Sequence, residues 1–100
     1  MKVYNISFQI EAPLEFQWLA WMKDNFIPLV LASKKFTDHK LYQIKVPQDQ
    51  SPTYTLQLYC DNEELWQAYQ ALQANEHLKE VSLHWGDKCF YFCTEMQIVN

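Results

Sequence analysis

The sequence predicts an α+β fold in which a four-stranded antiparallel sheet is covered on one face by two helices. Two observations support this prediction. In two segments apolar and polar residues alternate, which is the period of a strand, two further segments have the composition of strands, and in two others apolar residues recur every three or four positions, which is the period of a helix. These segments follow one another in the order β-α-β-β-α-β. We expect them to form one domain over residues 1–100.

The first element is a strand and the second is a helix. Val3 to Ile10 alternate strictly, which indicates the strand. Pro13 suits the first turn of the helix, where its missing N–H costs nothing. The apolar residues of this helix share one face, namely Leu14, Trp18, Trp21, Met22 and Leu29. We expect Pro28 to break or kink the helix near Ile27, with a short further turn through Leu31.

Two more strands follow. Phe36 to Val46 alternate less clearly and carry several charged side chains, which favours an edge strand. Pro47 to Pro52 form a turn bounded by two prolines. Thr53 to Cys60 alternate again and predict the third strand.

A second helix and a last strand complete the chain. Asp61 and Glu64 match a capping box at the start of this helix. We expect a break near Asn75, a further turn or two of helix, and a stop at Gly86. Cys89 to Val99 form the last strand, which is aromatic and apolar on both faces.

Right-handed crossovers between these elements predict a four-stranded antiparallel sheet in the order 4-1-3-2, with both helices on one face. This arrangement is the ferredoxin-like βαββαβ fold. Its first and third strands are central, and their apolar face must meet the helices.

The other face of the two central strands is polar but carries no charge. Its residues are Asn5, Ser7, Gln9, Thr53, Thr55 and Gln57. A sheet face in water normally carries Lys and Glu, whereas an uncharged face is typical of a surface that packs against a partner, because charges are costly to desolvate. We therefore expect a homodimer formed through these sheet faces. A monomer with a mildly polar face is the alternative.

Composition argues against several classes of function. A net charge of -4 and a pI near 5.2 do not suit nucleic acid or an anionic membrane surface. No apolar run approaches the roughly 20 residues of a membrane span. One glycine leaves no glycine-rich phosphate loop, and neither a zinc motif nor a nucleophile elbow occurs, so we expect no metal site. The first ten residues do not resemble a signal peptide, and the three cysteines are expected to be reduced thiols, which favours the cytoplasm.

Several motifs resemble those of one family. They are WLAWMK, the following IP, KKFT, TYTLQLY and WGDKCFYFCTE. Together they are similar to domain-of-unknown-function family 4286, a group of small uncharacterised bacterial proteins. The resemblance covers nearly the whole chain and implies a dimeric α+β barrel, in which two ferredoxin-like sheets pack face to face. Relatives often have His just before the Ile-Pro; here that residue is Phe26, so an acid–base role resting on that histidine is not expected.

Aromatic side chains near the first helix are the candidates for a ligand site. Trp18, Trp21 and Asn25 lie at spacings of three and four, on one edge of the apolar face. With Tyr54 and Trp66 they could line a small pocket between helices and sheet. The alternative is core packing, since Trp on a helix face usually serves to bury area.

A haem site is a second hypothesis, and it comes from the resemblance to dimeric α+β barrels. In haem-degrading members an Asn of the first strand, a helix Trp and an axial His surround a distorted porphyrin. The matching residues here are Asn5, Trp66 and His77. Basic groups for the haem propionates are sparse near His77, and the alternative is a solvated helix residue. We otherwise expect no cofactor.

Cofactor-independent oxygenase chemistry is the wider form of that hypothesis. Tyr54, Tyr59 and His39 could bind a phenolate or enolate, although each has an equally good structural role. Glu95 is either a buried acid with a raised pKa or a strand-end residue paired with a Lys. The leading interpretation is a non-catalytic cytoplasmic homodimer that binds a small apolar molecule, and the alternative is an oxygenase-like enzyme, cofactor-independent or haem-dependent.

Overall fold

The computed structural model describes residues 1–99. The strands are β1 Lys2–Ile10, β2 Asp38–Ile44, β3 Thr53–Cys60 and β4 Cys89–Gln97. The helices are α1 Glu15–Trp21, α2 Ile27–Leu31, α3 Glu63–Leu72 and α4 Ala74–Trp85. A π-helical segment, Met22–Phe26, joins α1 to α2, and 3-10 turns at Ala12–Leu14 and Gly86–Lys88 precede α1 and β4. None of the helices in residues 1–99 combines the length and the apolar character that crossing a membrane requires.

The four strands form one antiparallel sheet in the order β2-β3-β1-β4. The predicted order 4-1-3-2 names the same neighbours, read from the opposite edge. Ile6 of β1 pairs with Leu56 of β3 on one side and with Cys93 of β4 on the other. Directly opposed residues point to the same face, so this register carries the apolar face of β1 across the sheet.

The helix after β1 is not broken at Pro28, but a π-helical segment interrupts its regular geometry just before Ile27, and the short further α-helix ends at Leu31 as predicted. Phe26 and Ile27 both have right-handed helical dihedrals, and Ile27 N–H donates to Met22 O, five residues back. In a regular α-helix the Pro28 ring would press on the carbonyl four residues earlier. We attribute the π-helical turn to this proline, because its wider spacing relieves that contact. We call the continuous unit Glu15–Leu31 the composite helix.

The π-helical segment also changes which residues of the composite helix face the core. Trp18, Met22, Phe26 and Val30 are all buried, at a constant spacing of four. In a regular α-helix such a row would drift by about 40° at each step, and the wider turn corrects this drift. Leu29, which was predicted to face inward, is 41% exposed, and the next residue, Val30, is buried in its place. The prediction for Leu29 is therefore wrong.

The core lies between the helices and one face of the sheet. Trp18 and Phe8 are fully buried, with ring centroids 5.2 Å apart, and the ring of Tyr54, the β3 partner of Phe8, lies 5.1 Å from that of Trp18. Offset and tilted aromatic pairs of this kind stabilise a core beyond the area that they bury. Most of the aromatic excess of the sequence is therefore core.

Helices α3 and α4 differ from the prediction in detail. Asn62, rather than Asp61, caps α3, because its side-chain Oδ1 accepts a hydrogen bond from Leu65 N at 2.9 Å. The break between the helices falls at Gln73, two residues before the predicted Asn75, and α4 is twelve residues long where a turn or two was predicted. Gly86 ends α4 with φ +56, a conformation that favours glycine, as predicted.

Replacing Trp18 by Ala should destabilise the fold strongly. Removing a fully buried indole leaves a cavity between β1 and the composite helix, and we expect the free energy of unfolding to fall by about 3–5 kcal/mol. Urea unfolding followed by circular dichroism measures the change. Phe16→Ala, two residues earlier on the same helix and 80% exposed, is the control and should alter stability by less than about 0.5 kcal/mol. Equal losses in the two variants would contradict the assignment of Trp18 to the core.

Candidate functional site

A groove on the helix side of the molecule is the best candidate for a small-molecule site. It lies between the composite helix and α4 and has a volume of about 540 Å³. Its lining residues are Trp21, Asn25, Phe26, Leu29, Glu80 and His84. Volumes of this order are common among small-molecule sites.

Stacked aromatic rings hold the wall of the groove in place. Trp21 stacks on Phe26 with ring centroids 5.6 Å apart and on His84 at 5.1 Å. Trp85 contacts the same indole edge-on at 5.8 Å. Trp21 is half-buried and is contacted by three other rings, so its side chain is already ordered. A ligand that binds against it does not have to offset the entropy of ordering this side chain.

The polar groups of the groove come mainly from the last two turns of α4. Glu80 and His84 are four residues apart and therefore lie on one helix face. Both are exposed, as is Asn25 across the groove. The three ion pairs found among residues 1–99 do not include Glu80. The groove thus combines an apolar wall with one carboxylate, one imidazole and one amide.

The predicted ligand residues separate into two groups. Trp21 and Asn25 line the groove, whereas Trp18 and Tyr54 belong to the core between helix and sheet. The hydroxyl of Tyr54 donates to Oε2 of Glu15 at 2.7 Å. Aromatic rings thus pack against one another in the space where the sequence suggested a pocket.

Trp66, the fifth predicted residue, is also core. Its indole N–H donates to Oε1 of Glu95 at 2.6 Å, and Lys2 Nζ donates to the other carboxylate oxygen at 3.0 Å. The hydrogen bond from Lys2, followed by that from Trp66, holds the pKa of Glu95 below its ordinary value. Glu95 is therefore the strand residue paired with Lys, and the alternative of a raised pKa is wrong.

Four lining residues of the groove were not predicted as site residues, namely Phe26, Leu29, Glu80 and His84. The spacing of four between Glu80 and His84 was visible in the sequence. Nothing local indicated which other helix they would face, because that depends on how α4 packs against the composite helix.

The residues of the haem hypothesis do not converge on one site. Asn5 points to the sheet face opposite the helices, where its Oδ1 accepts from Thr55 Oγ1 at 2.7 Å. Trp66 and His77 lie on the helix side, and Nδ1 of His77 shares a hydrogen bond of 2.8 Å with the hydroxyl of Tyr69. The sheet separates the amide from the imidazole, so these residues do not fit a porphyrin.

The residues of the oxygenase hypothesis are likewise dispersed. Tyr54 faces the helices, and burial, together with the hydrogen bond to Glu15, raises the pKa of Tyr54 to about 12. Tyr59 lies on the opposite face and donates its hydroxyl hydrogen bond to Gln57 Oε1 at 2.9 Å. His39 belongs to the edge strand β2.

The open face of the sheet, opposite the helices, carries all six residues predicted for the dimer interface, Asn5, Ser7, Gln9, Thr53, Thr55 and Gln57. The register places four large apolar side chains on the same face at the two edge strands. These are Phe90 (68% exposed), Phe92 (61%), Tyr42 (43%) and Ile44 (42%). Strand β2 also places Lys40 there, 5.8 Å from the ring of Tyr59. The open face therefore has a small, uncharged polar centre flanked by exposed apolar side chains.

Comparisons with known proteins identify a family and a fold. The family model described as "Domain of unknown function (DUF4286)" matches residues 1–99. No curated protein matches the sequence. The chain is similar in structure to an ethyl tert-butyl ether d (EthD) family protein from Bacillus halodurans, with TM-score 0.66 and 17% identity over 97% of this chain and 100% of that one.

Two further structures have the same fold. A putative antibiotic biosynthesis monooxygenase from Deinococcus radiodurans has TM-score 0.64 and 10% identity over 100% of this chain and 94% of that one. A dimeric ferredoxin-like protein from an uncultured marine organism has TM-score 0.65 and 8% identity over 99% and 96%. At such identities the likeness establishes the ferredoxin-like fold and nothing about activity.

The buried pair of His77 and Tyr69 should make stability depend on pH. Burial lowers the pKa of His77 below its ordinary 6.5, so the unfolded chain binds a proton more readily than the folded one. The free energy of unfolding of the wild type should therefore fall as the pH drops below 6.5. Urea unfolding at several pH values should show a shallower dependence for His77→Gln in this range. His39→Gln is the control that keeps the pair, and a His77→Gln slope equal to that of the wild type would refute the assignment.

Proposed function

This chain belongs to the DUF4286 family, a domain of unknown function, and we propose that it is a homodimeric binding protein for a small apolar molecule. The ligand occupies the groove between the composite helix and α4, and the open faces of two sheets form the dimer. The observation that carries the proposal is the preformed aromatic wall of the groove, in which Trp21 is fixed between Phe26 and His84.

The composition of the open face supports the dimer. Its centre can be buried against a second copy at low cost, because the small side chains of Ser7 and Thr55 carry no charge. They are also hydrogen-bonded to each other and to Asn5, so their polar groups already have partners. Phe90 and Phe92 at its edge are mostly exposed, and a contiguous apolar surface of this kind is typical of an interface. One similar structure is described as a dimeric ferredoxin-like protein.

Binding is better supported than catalysis. The hydroxyls of Tyr4, Tyr54 and Tyr69 are each engaged within the protein, with Cys93, Glu15 and His77 respectively. The groove lining contains no Ser, Thr, Cys, Lys or Tyr side chain, and its titratable groups are one exposed carboxylate and one exposed imidazole. An oxygenase-like activity is the alternative, because one similar structure is described as a monooxygenase, but that likeness concerns the fold.

The cellular setting follows the same proposal. The three cysteines are free thiols, which suits the reducing cytoplasm. The net charge of -4 favours partners other than nucleic acid or anionic membrane surfaces.

Light scattering tests the dimer. At micromolar concentration the wild type should have twice the mass of the 12.0 kDa chain. Phe92→Glu should reduce the mass to that of one chain, because dimerisation would bury the new carboxylates without partners. Phe16→Glu, on the helix side and 80% exposed, is the matched control and should remain dimeric. A wild type with the mass of one chain would refute the dimer.

Nuclear magnetic resonance titration with neutral 3-phenylpropan-1-ol tests the groove. At millimolar concentrations the probe should shift the indole N–H signal of Trp21. Leu29→Gln removes apolar lining at a position that is 41% exposed, and we expect binding to weaken about five-fold.

The matched control is Leu83→Gln on α4, which is 72% exposed and does not line the groove. It should bind the alcohol as the wild type does. A wild type whose Trp21 signal does not respond to the probe would count against a ligand in this groove.

A further inference from the structure

We propose that the ligand of the groove is an organic cation, namely a protonated amine joined by a short linker to an aromatic or branched apolar body. This inference rests on the proposed binding function and adds the chemical class of the ligand. It follows from three features of the groove. These are the negative charge of Glu80, the place of Glu80 near the end of α4, and the spacing between the Glu80 carboxylate and the aromatic wall.

The charge of the groove is negative. Glu80 lines it, and the lining contains no Lys or Arg. The ion pairs among residues 1–99 join Lys2 to Glu63 and Glu95, and Lys88 to Glu11, which leaves the Glu80 carboxylate without a basic partner. An anionic ligand would be repelled there, whereas an ammonium group would supply the missing counter-charge.

The end of α4 adds to the same preference. Residues Glu80 and His84 belong to the last two turns of this twelve-residue helix, which ends at Trp85. The carbonyl end of a helix carries a partial negative charge that favours cations within about its last turn, which contains His84 and lies one turn beyond Glu80. Carboxylate and helix end therefore act in the same direction, within a protein whose net charge is -4.

The dimensions of the groove indicate how the amine and the apolar body are connected. Glu80 precedes His84 by about one helical turn, roughly 5–6 Å along α4. The ring of His84 stacks on Trp21, which begins the apolar wall that continues through Phe26 and Leu29. A ligand whose ammonium lies at Glu80 can place an apolar body against this wall when about three or four bonds separate the two.

Three probes of equal length and different charge test the inference. They are 3-phenylpropylamine, 3-phenylpropan-1-ol and 3-phenylpropanoate, titrated at pH 8, where the amine is protonated and imidazoles are generally neutral. For the wild type we expect the amine to bind about five-fold more tightly than the alcohol, and the carboxylate to bind most weakly. Raising the NaCl concentration from 0.02 to 0.5 M should weaken the binding of the amine and leave the binding of the alcohol unchanged, because salt screens the attraction between charges.

Two matched variants assign the preference to Glu80. In Glu80→Gln the amine should bind no more than about two-fold more tightly than the alcohol, because only the attraction of the helix end remains. Glu76→Gln, one turn earlier on α4 and outside the groove lining, makes the same change in net charge and should keep the five-fold preference.

The outcomes separate this inference from the proposed function. Alcohol binding at Trp21 with no preference for the amine, or an undiminished five-fold preference in Glu80→Gln, would overturn this inference and leave the groove as a binding site. Failure of all three probes to shift the Trp21 signal would overturn the binding function itself, and this inference with it.

Discussion

The contact between Trp18 and the two central strands is the interaction on which the rest of the structure depends. Its indole is fully buried against Phe8 of β1 and Tyr54 of β3, and this contact determines how the composite helix is rotated on the sheet. Once Trp18 faces the sheet, the π-helical turn brings Phe26 into the core as well, and Asn25 is left on the outside. The groove is thus a consequence of core packing.

The two surfaces available for binding lie on opposite sides of the sheet. The open face lies on one side, and the groove between the composite helix and α4 lies on the other, beyond the core. A second copy packed on the open face therefore leaves the groove accessible in both protomers. The proposed dimer and the proposed ligand site are compatible because the sheet separates them.

The high aromatic content has a structural explanation that limits the chemistry of this protein. Aromatic polar groups in the core are hydrogen-bonded to groups at its boundary, as Trp66 is to Glu95 and Tyr69 is to His77. Two indoles are exceptions, because the buried N–H groups of Trp18 and Trp85 have no hydrogen-bond acceptor among residues 1–99. Hydroxyls and imidazoles used in this way stabilise the fold, and few remain available to act on a substrate.

The sequence by itself determined the order of elements, the strand neighbours and the two faces of each central strand. These features follow from a local rule, since neighbouring side chains of a strand point to opposite faces and Ser7 cannot share a face with Phe8. The tertiary structure alone decided the π-helical turn at Met22–Phe26, the burial of Val30 in place of Leu29, and the presence of Glu80 and Trp21 in the lining of one groove. Helical periodicity tells which residues of one helix share a face, but the rotation and alignment of two helices are set by how their side chains interlock around a common core.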